Sequence, residues 1–179
     1  MSLGLAPIFL SLGGETDMTA TKVLLVDDEA PFLEVMTKRL QARGLQVFSA
    51  PSGEEALRRI DENPDLEVAV LDLKMPGMDG LDTLKEIKRR IPLIEVIILT
   101  GHATIRSGIE GIKERAFDYL VKPCDIDELM AGIEAAATRK IKHEDQVVSV
   151  RSAWPKARKR MSETMDLDVR KALEYDERE

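Results

Sequence analysis

Acidic side chains follow two apolar runs in this chain, at the point where each run ends. Asp27 and Asp28 come directly after KVLLV, and Asp72 follows EVAVL. Carboxylates that meet at one place repel each other and raise one another's pKa. A hard divalent cation offsets that repulsion, and oxygen ligands of this kind suit Mg²⁺. The simpler reading, in which Asp27 and Glu29 only cap a following helix, is adequate for Glu29 but leaves Asp72 unexplained. The acids therefore predict a metal site.

A hydroxyl and an ammonium group complete this set. Thr100 ends the apolar run EVIILT, and Lys122 follows DYLV and precedes Pro123. Alone, each is ordinary, because a Thr at a strand end is usually a helix cap and a Lys is usually a solvated charge. Beside the acids, they are the groups that the oxygens of a phosphoryl group require. Together with the acids they predict phosphoryl chemistry.

Short apolar runs alternate with amphipathic segments from Lys22 onward, and this alternation must position the reactive side chains. The pattern predicts strands at residues 22–26, 45–50, 67–71, 95–100 and 118–121. Gly44 is placed to stop the first helix, and Ser52 and Asp125 are placed to cap the second and the last. Apolar residues that recur at helical spacing are Phe32, Met36 and Leu40; Ala56, Leu57 and Ile60; Leu81, Leu84 and Ile87; Ile105, Ile109 and Ile112; and Leu129, Ile133 and Ala136.

Repeated alternation of strands and helices indicates a parallel sheet with right-handed crossovers and helices on both faces. We therefore predict an α/β fold, a doubly wound, flavodoxin-like sheet of five parallel strands in the order 2-1-3-4-5. Ligands of such sheets bind at the carboxyl ends of the strands, beside the switch in strand order. Because the acids, Thr100 and Lys122 all follow strands, we expect them to meet at that edge.

The composition restricts the class of protein. A chain of 179 residues, 44% of them hydrophobic, can form one domain with a core and a modest extension. The net charge of -7 argues against nonspecific binding to nucleic acid. The single cysteine, Cys124, excludes an internal disulfide and fits a reducing compartment. No apolar run approaches the length of a membrane span. We expect a cytoplasmic protein that binds neither nucleic acid nor membranes.

Three regions differ in composition. Residues 1–19 are mildly apolar and lack Lys and Arg, which we interpret as a disordered leader or an added extension. Residues 20–140 hold the alternation of strands and helices. Residues 141–179 form a charged tail that we expect to be partly helical or disordered. Over 139–160 eight Lys or Arg face two acids, and over 161–179 seven acids face three bases.

On these residues the chain resembles the receiver domain of response regulators in two-component signalling. The resemblance covers roughly residues 20–140 and rests on Asp27-Asp28, Asp72 with the following KMPGMDG, Thr100 and Lys122-Pro123, in that order. The stretch GHATIRSGIEGIKERAFDYLVKP further resembles receivers that are joined to transcriptional activators. The resemblance implies a phosphoacceptor switch and not an enzyme, one that promotes its own phosphorylation and dephosphorylation.

The resemblance also implies roles for the acids. Asp72 would accept a phosphoryl group from a phosphohistidine of a sensor histidine kinase or phosphotransfer protein. Asp28, Asp72 and the backbone carbonyl of Lys74 would bind Mg²⁺. Asp27 would act on the ion through water and would orient Lys122.

Three residues would then respond to the phosphoryl group. Lys122 would pair with its oxygens, Thr100 would move to hydrogen-bond one of them, and Tyr119 would turn inward. The Lys122-Pro123 peptide bond would be cis. The change would pass through the fourth helix, the fifth strand and the last helix, acting on an unknown output protein or forming a homodimer through that face.

Two other function classes stay open. A Mg²⁺-dependent phosphohydrolase similar to haloacid dehalogenases would have an aspartyl nucleophile and a second Asp two residues apart after the first strand. Here Asp27 and Asp28 are adjacent, and the candidate nucleophile follows the third strand. A flavodoxin-like nucleotide binder would need a Gly-rich phosphate loop after the first strand, where the sequence has acids. A receiver fragment of a DNA-binding transcriptional regulator is a variant of the leading interpretation.

Overall fold

The computed structural model describes residues 20–101 and 114–176, and describes side chains as far as residue 153. The predicted helix containing Ile105, Ile109 and Ile112 lies outside the described residues. The elements within them are β1 (Lys22–Val26), α1 (Ala30–Gln41), β2 (Gln46–Ala50), α2 (Gly53–Glu62), β3 (Val68–Leu71), α3 (Gly80–Arg90), β4 (Glu95–Thr100), β5 (Asp118–Val121) and α4 (Ile126–Asp176).

The five strands form one parallel sheet in the order β2-β1-β3-β4-β5, which confirms the predicted topology. The strand order reverses at β1, which pairs with β2 on one side and with β3 on the other. Val26 of β1 is in register with Leu71 of β3. The residues that follow these two strands, Asp27 and Asp72, therefore leave the sheet side by side.

The sheet is covered on both faces, which explains why β1, β3 and β4 are apolar without alternation. Val23 and Leu25 of β1 point toward α1 and the first part of α4, and Leu24 and Val26 point toward α2 and α3. The buried helix residues on the first face are Leu33, Met36, Leu40, Leu129, Ile133 and Ala136. Those on the second face are Ala56, Leu57, Ile60, Leu84 and Ile87.

The predicted helix ends are formed by the expected residues. The Ser52 hydroxyl accepts a hydrogen bond from the Glu55 amide at 3.2 Å at the start of α2. Asp125 Oδ1 accepts one from the Asp127 amide at 2.7 Å at the start of α4. Gly44 follows α1 with a φ of +87°, a left-handed conformation that residues with a Cβ adopt at a cost.

The last helix extends beyond the domain that it completes. α4 has 51 residues and continues without a break past residue 140, where we expect the receiver domain to end and the charged tail to begin. Its first part packs on the sheet as far as Ala137, and residues 144–153 are largely exposed. Within the described ranges, no helix is both long enough and apolar enough to cross a membrane.

Candidate functional site

The three predicted acids meet at the carboxyl edge of the sheet. One carboxylate oxygen from each of Asp27, Asp28 and Asp72 lies within 4.8 Å of the others. Asp27 and Asp72 are buried, whereas Asp28 is exposed. The backbone holds them there, because the Asp27 amide donates to the Ala50 carbonyl at 3.1 Å and the Asp72 amide donates to the Val26 carbonyl at 3.0 Å. The strand ladder thus continues into the acids.

Lys122 brings a positive charge into this acidic cluster from the end of β5. Its Nζ donates a hydrogen bond to Asp27 Oδ2 and lies 3.2 Å from Asp72 Oδ2. The exposed carboxylate of Glu29 is 3.9 Å away. The same ammonium group lies 4.3 Å from the centroid of the Phe32 ring, a distance at which a cation is attracted to an aromatic face. Lys122 is therefore held between two buried carboxylates and one ring.

Burial and the neighbouring charges shift the pKa values of Asp27 and Lys122 in opposite directions. Burial raises the pKa of Asp27 above its ordinary value of 3.8, and the hydrogen bonds from Lys122 and the Glu29 amide offset only part of this. Burial alone lowers the pKa of Lys122, but hydrogen bonds and charge attraction from Asp27 and Asp72 outweigh it. The pKa of Lys122 is raised above 10.5 as a result, so this side chain is an ammonium at neutral pH.

The loop after β3 is folded tightly against the acids. The Lys74 amide donates to Asp72 Oδ1 at 3.2 Å, and the Gly80 amide donates to the Leu73 carbonyl at 2.9 Å. A Cβ on Gly80 would lie 2.2 Å from the Asp72 carbonyl oxygen, so only glycine fits where α3 begins. Gly77 has a φ of +80°, which supports the interpretation of this stretch as a tight turn.

Thr100 and Tyr119 lie on the neighbouring strands β4 and β5. Thr100 is fully buried, and its carbonyl accepts a hydrogen bond from the Lys122 amide at 2.9 Å. Thr100 is in register with Val121, and Ile98 is in register with Tyr119. The side chains of Thr100 and Tyr119 therefore point to the same face of the sheet, and the Tyr119 ring is half-buried against the α2 and α3 side of the core. The Lys122-Pro123 bond is cis.

A cleft opens beside the acids to a volume of about 490 Å³. Its lining residues are Asp28, Glu29, Asp72, Lys74, Met75, Pro76 and Gly101. The carboxylates give three closely spaced oxygen donors, and among the residues that the structure describes one ammonium, that of Lys122, pairs with them. Such a donor set fits a hard divalent cation of the Mg²⁺ type better than a soft metal.

The sequence matches the response regulator receiver domain over residues 23–134. The chain belongs to this family. Receiver domains bind Mg²⁺ in an acidic pocket of aspartates, and the cluster of Asp27, Asp28 and Asp72 is a pocket of that kind. This match also settles the choice between the function classes: the chain is a receiver domain of a two-component system, and the phosphohydrolase and nucleotide-binder alternatives are not supported.

The similar proteins include bacterial transcriptional regulators and the receiver domains of response regulators. The chain is 41% identical over 115 residues to the DNA-binding transcriptional regulator NtrC of Escherichia coli, covering 64% of this chain and 24% of that protein. It is 38% identical over 114 residues to the transcriptional regulatory protein ZraR of the same organism, covering 64% and 26%. A receiver domain structure from Clostridium thermocellum superimposes with a TM-score of 0.65 at 40% identity, covering 67% of this chain and 96% of that one. The chain thus spans about a quarter of the length of these two regulators.

Two contacts of the receiver site were missed in the sequence. Phe32, placed on the inner face of α1 by its spacing, does pack partly against the core, but its ring also lies against the Lys122 ammonium, and Leu33 takes the more buried position. Glu29 occupies the cap position of α1, as expected, but its side chain makes no capping hydrogen bond and approaches Lys122. The available signal was proximity in sequence, because Glu29 follows the acids directly and Phe32 lies in the first turn of α1.

Proposed function

We propose that Asp72 is the phosphoacceptor of this receiver domain, and that it takes the phosphoryl group from a phosphohistidine of a sensor histidine kinase or phosphotransfer protein. One observation carries this proposal. Asp72 directly follows the buried strand β3, with its carboxylate beside the open cleft, next to two further carboxylates and 3.2 Å from the Lys122 ammonium. Asp28 is exposed and Asp27 is tied to Lys122, which leaves Asp72 as the acid that joins the buried cluster to the cleft.

The proposed step is a phosphoryl transfer between two protein side chains. A carboxylate oxygen of Asp72 attacks the phosphorus, the bond between phosphorus and the donor's histidine nitrogen breaks, and the histidine keeps the electron pair. The product is an acyl phosphate, whose later attack by water restores the carboxylate and releases inorganic phosphate. Lys122 stabilises the charge on the phosphoryl oxygens in both steps, because its pKa is raised and it stays protonated. The domain promotes both reactions on itself and has no separate substrate.

We further propose which residues hold Mg²⁺. The carboxylates of Asp28 and Asp72 and the backbone carbonyl of Lys74 supply oxygen ligands, and Asp27 acts through a bound water. When bound there, Mg²⁺ would neutralise negative charge on the phosphoryl oxygens during transfer. Asp27 also orients Lys122, because its hydrogen bond to that side chain keeps the ammonium group close to Asp72.

The proposed switch uses the two strands next to the site. Thr100 hydrogen-bonds a phosphoryl oxygen, and Tyr119 turns inward on the same face of the sheet, altering the surface around β5. Val121 of β5 is half-exposed, so this surface is accessible to an output protein or to a second copy of the domain. Sedimentation with and without a phosphate mimic tests the homodimer through this face, and an unchanged monomer contradicts it.

Intact-mass measurement after incubation with acetyl phosphate and Mg²⁺ tests the acceptor. The wild-type chain should gain one phosphoryl group, and omission of Mg²⁺ should prevent the gain. Asp72→Asn should gain none. Asp79→Asn is the matched control, because Asp79 lies in the same loop and caps α3 through a bond to the Asp82 amide, a role that Asn keeps. Labelling of Asp72→Asn, or equal loss in both variants, refutes the assignment.

The similar regulators suggest the wider setting of the domain. We propose a cytoplasmic bacterial signalling protein, because the kinase reaction requires a partner and nucleotide-derived phosphate inside the cell. NtrC is named as a DNA-binding regulator, but only about a quarter of it matches this chain, so DNA binding is not part of the function proposed for these residues.

A further inference from the structure

Phe32 places an aromatic ring beside the acidic cluster. α1 begins at Ala30, and the Leu33 amide donates to the Glu29 carbonyl at 3.0 Å, so Phe32 is held in regular helix shortly after the acids. Its side chain is half-buried and packs partly against the α1 and α4 face of the core. The centroid of its ring lies 4.3 Å from Lys122 Nζ. The ring therefore belongs both to the core and to the surroundings of the ammonium group.

The neighbours of the Lys122 ammonium differ in charge. Hydrogen bonds to Asp27 Oδ2 and Asp72 Oδ2 use two of its three N–H groups. Glu29, whose side chain is 68% exposed, lies 3.9 Å away, beyond hydrogen-bond distance. The Phe32 ring is an uncharged partner, and its face attracts the cation through the ring quadrupole. Because the Lys122 side chain is only 13% exposed, water weakens this attraction less than it does on an open surface.

An uncharged partner suits an ammonium group that acts on a phosphoryl group. Each carboxylate that holds Lys122 also cancels part of its charge, whereas the Phe32 ring holds it and carries no net charge. The balance shifts during transfer, because the carboxyl group of Asp72 becomes uncharged when it forms the acyl phosphate. Its attraction for Lys122 then falls, and Asp27 and the ring remain to keep the ammonium in place.

We propose that Phe32 is a positioning residue for phosphoryl transfer, and that the face of its ring holds the Lys122 ammonium beside Asp72. This role rests on the proposed function, since Phe32 acts on the phosphoryl group only through Lys122. Attraction between a cation and an aromatic face of this kind corresponds to about a two- to fivefold change in a rate or equilibrium constant. A residue that only fills space would act through its size and shape, and the charge distribution within its ring would have no effect.

Fluorinated phenylalanines at position 32 test the role of the ring face. One, two or three fluorine atoms on the ring edge withdraw electron density from the face progressively and change the size of the ring little. The rate at which acetyl phosphate labels Asp72 at saturating Mg²⁺, followed by intact mass, should fall with each fluorine and by about two- to fivefold with three. Phe32→Leu should show a loss at least as large, whereas Phe32→Tyr keeps an aromatic face and should restore a rate close to that of the wild type.

Phe48 provides the matched control. Its ring is also half-buried, but it packs against the α2 and α3 face of the core, on the other side of the sheet from Phe32. Three fluorine atoms at position 48 should leave the labelling rate unchanged. An equal fall at positions 32 and 48 would show a general effect of fluorine on the core and would overturn the proposal. Melting temperatures of all the fluorinated chains verify that each is folded.

A double-mutant cycle tests the contact without phosphorylation. Phe32→Leu and Lys122→Met, alone and together, are compared by urea unfolding of the metal-free domain. Attraction between the ring and the ammonium predicts a coupling of about two- to fivefold in the unfolding equilibrium constant. Independent effects of the two substitutions would mean that the ring does not hold Lys122, which overturns the proposal.

Failure of the proposed role and failure of the proposed function give different results. If the wild-type chain gains no phosphoryl group on Asp72, the proposed function fails and the role of Phe32 fails with it. If the wild type is labelled and the rate is constant along the fluorine series, only the role of Phe32 is overturned. A loss in Phe32→Leu together with a flat fluorine series shows that the side chain acts by packing, and that result also overturns the proposal.

Discussion

Glu95 should be one of the most important charged residues for the stability of the domain, and Glu95→Gln tests this. Its side chain is 4% exposed, and its carboxylate lies 3.3 Å from the Lys88 ammonium, which is itself only 12% exposed. Arg139 and His143 approach the other oxygen from α4. Burial lowers the pKa of Lys88, and attraction to Glu95 is the main effect that opposes this. Removing the carboxylate therefore leaves a desolvated ammonium without its counter-charge.

The size of the effect follows from the exposure of each partner. Removing one member of a buried ion pair costs about 3–5 kcal/mol. Lys88 keeps its hydrogen bond to the Ile94 carbonyl at 2.6 Å, which reduces the loss. Arg139 and His143 are 49% and 39% exposed, so water replaces Glu95 for them and their pairs add about 0–1 kcal/mol. We expect a loss of about 2–3 kcal/mol, which lowers the melting temperature by about 4–12 °C.

Urea unfolding at pH 7 and fixed salt measures this loss. Glu86→Gln is the control, because Glu86 pairs with Arg89 and Arg90 on the exposed surface of α3, where water replaces a lost ion pair, so the stability should change little. Adding Lys88→Met to Glu95→Gln should restore part of the stability, since both buried charges are then absent. The reasoning is refuted if Glu95→Gln costs no more than Glu86→Gln, or if Lys88→Met makes the Glu95 variant less stable.

Three further outcomes are expected. Asp27→Asn should stabilise the metal-free domain at neutral pH, because burial raises the pKa of Asp27 and disfavours its charged form. In the wild type, the stability linked to the protonated carboxyl is present at low pH and is lost as pH rises through that pKa. The extra stability of the variant, measured by urea unfolding, should therefore shrink as pH falls toward 3.8. Gly80→Ala should lower the melting temperature more than Gly44→Ala. An alanine Cβ at position 80 would meet the Asp72 carbonyl oxygen at 2.2 Å. An alanine at position 44 has open space around it and is destabilised only by the φ of +87°, by about 1–2 kcal/mol. Mg²⁺ at one hundred times its dissociation constant should add about 2.7 kcal/mol to the stability of the wild-type domain, and Asp28→Asn should remove most of this shift without unfolding the domain.

The strands were predictable because burial on both faces requires an uninterrupted run of apolar residues in each buried strand. Runs such as KVLLV and EVIILT have no alternation, and the structure buries them between two layers of helices. The first residue of two predicted strands, Leu45 and Glu67, falls outside the strands of the structure. Strand ends depend on the pairing of neighbours that are distant in sequence, so a local pattern locates them only approximately.

The acidic cluster was predictable for a topological reason, and its surroundings were not. Parallel strands end at one edge, so acids after β1 and β3 must meet wherever those strands are neighbours. The Phe32 ring against Lys122 depends on the exact rotation of α1, which spacing alone does not determine. The pairing of Lys88 with Glu95 and of Glu95 with Arg139 joins residues from three elements, and charged residues are too common in the sequence for such pairs to be identified without the fold.

The two ends of β4 show how charge is used differently for stability and for chemistry. At the amino end, Glu95 faces Lys88 and Arg139, so its buried carboxylate is compensated by the protein itself. At the carboxyl end, beside Thr100, Asp27, Asp28 and Asp72 face one ammonium. These three carboxylates lie within 4.8 Å of one another and repel each other, the more strongly because two of them are buried. Among the described residues, Lys122 is the cation that forms ion pairs with these acids. Much of the repulsion therefore remains, and a bound divalent ion is stabilised by relieving it. A substitution that neutralises the cluster should therefore stabilise the free domain and weaken metal binding together.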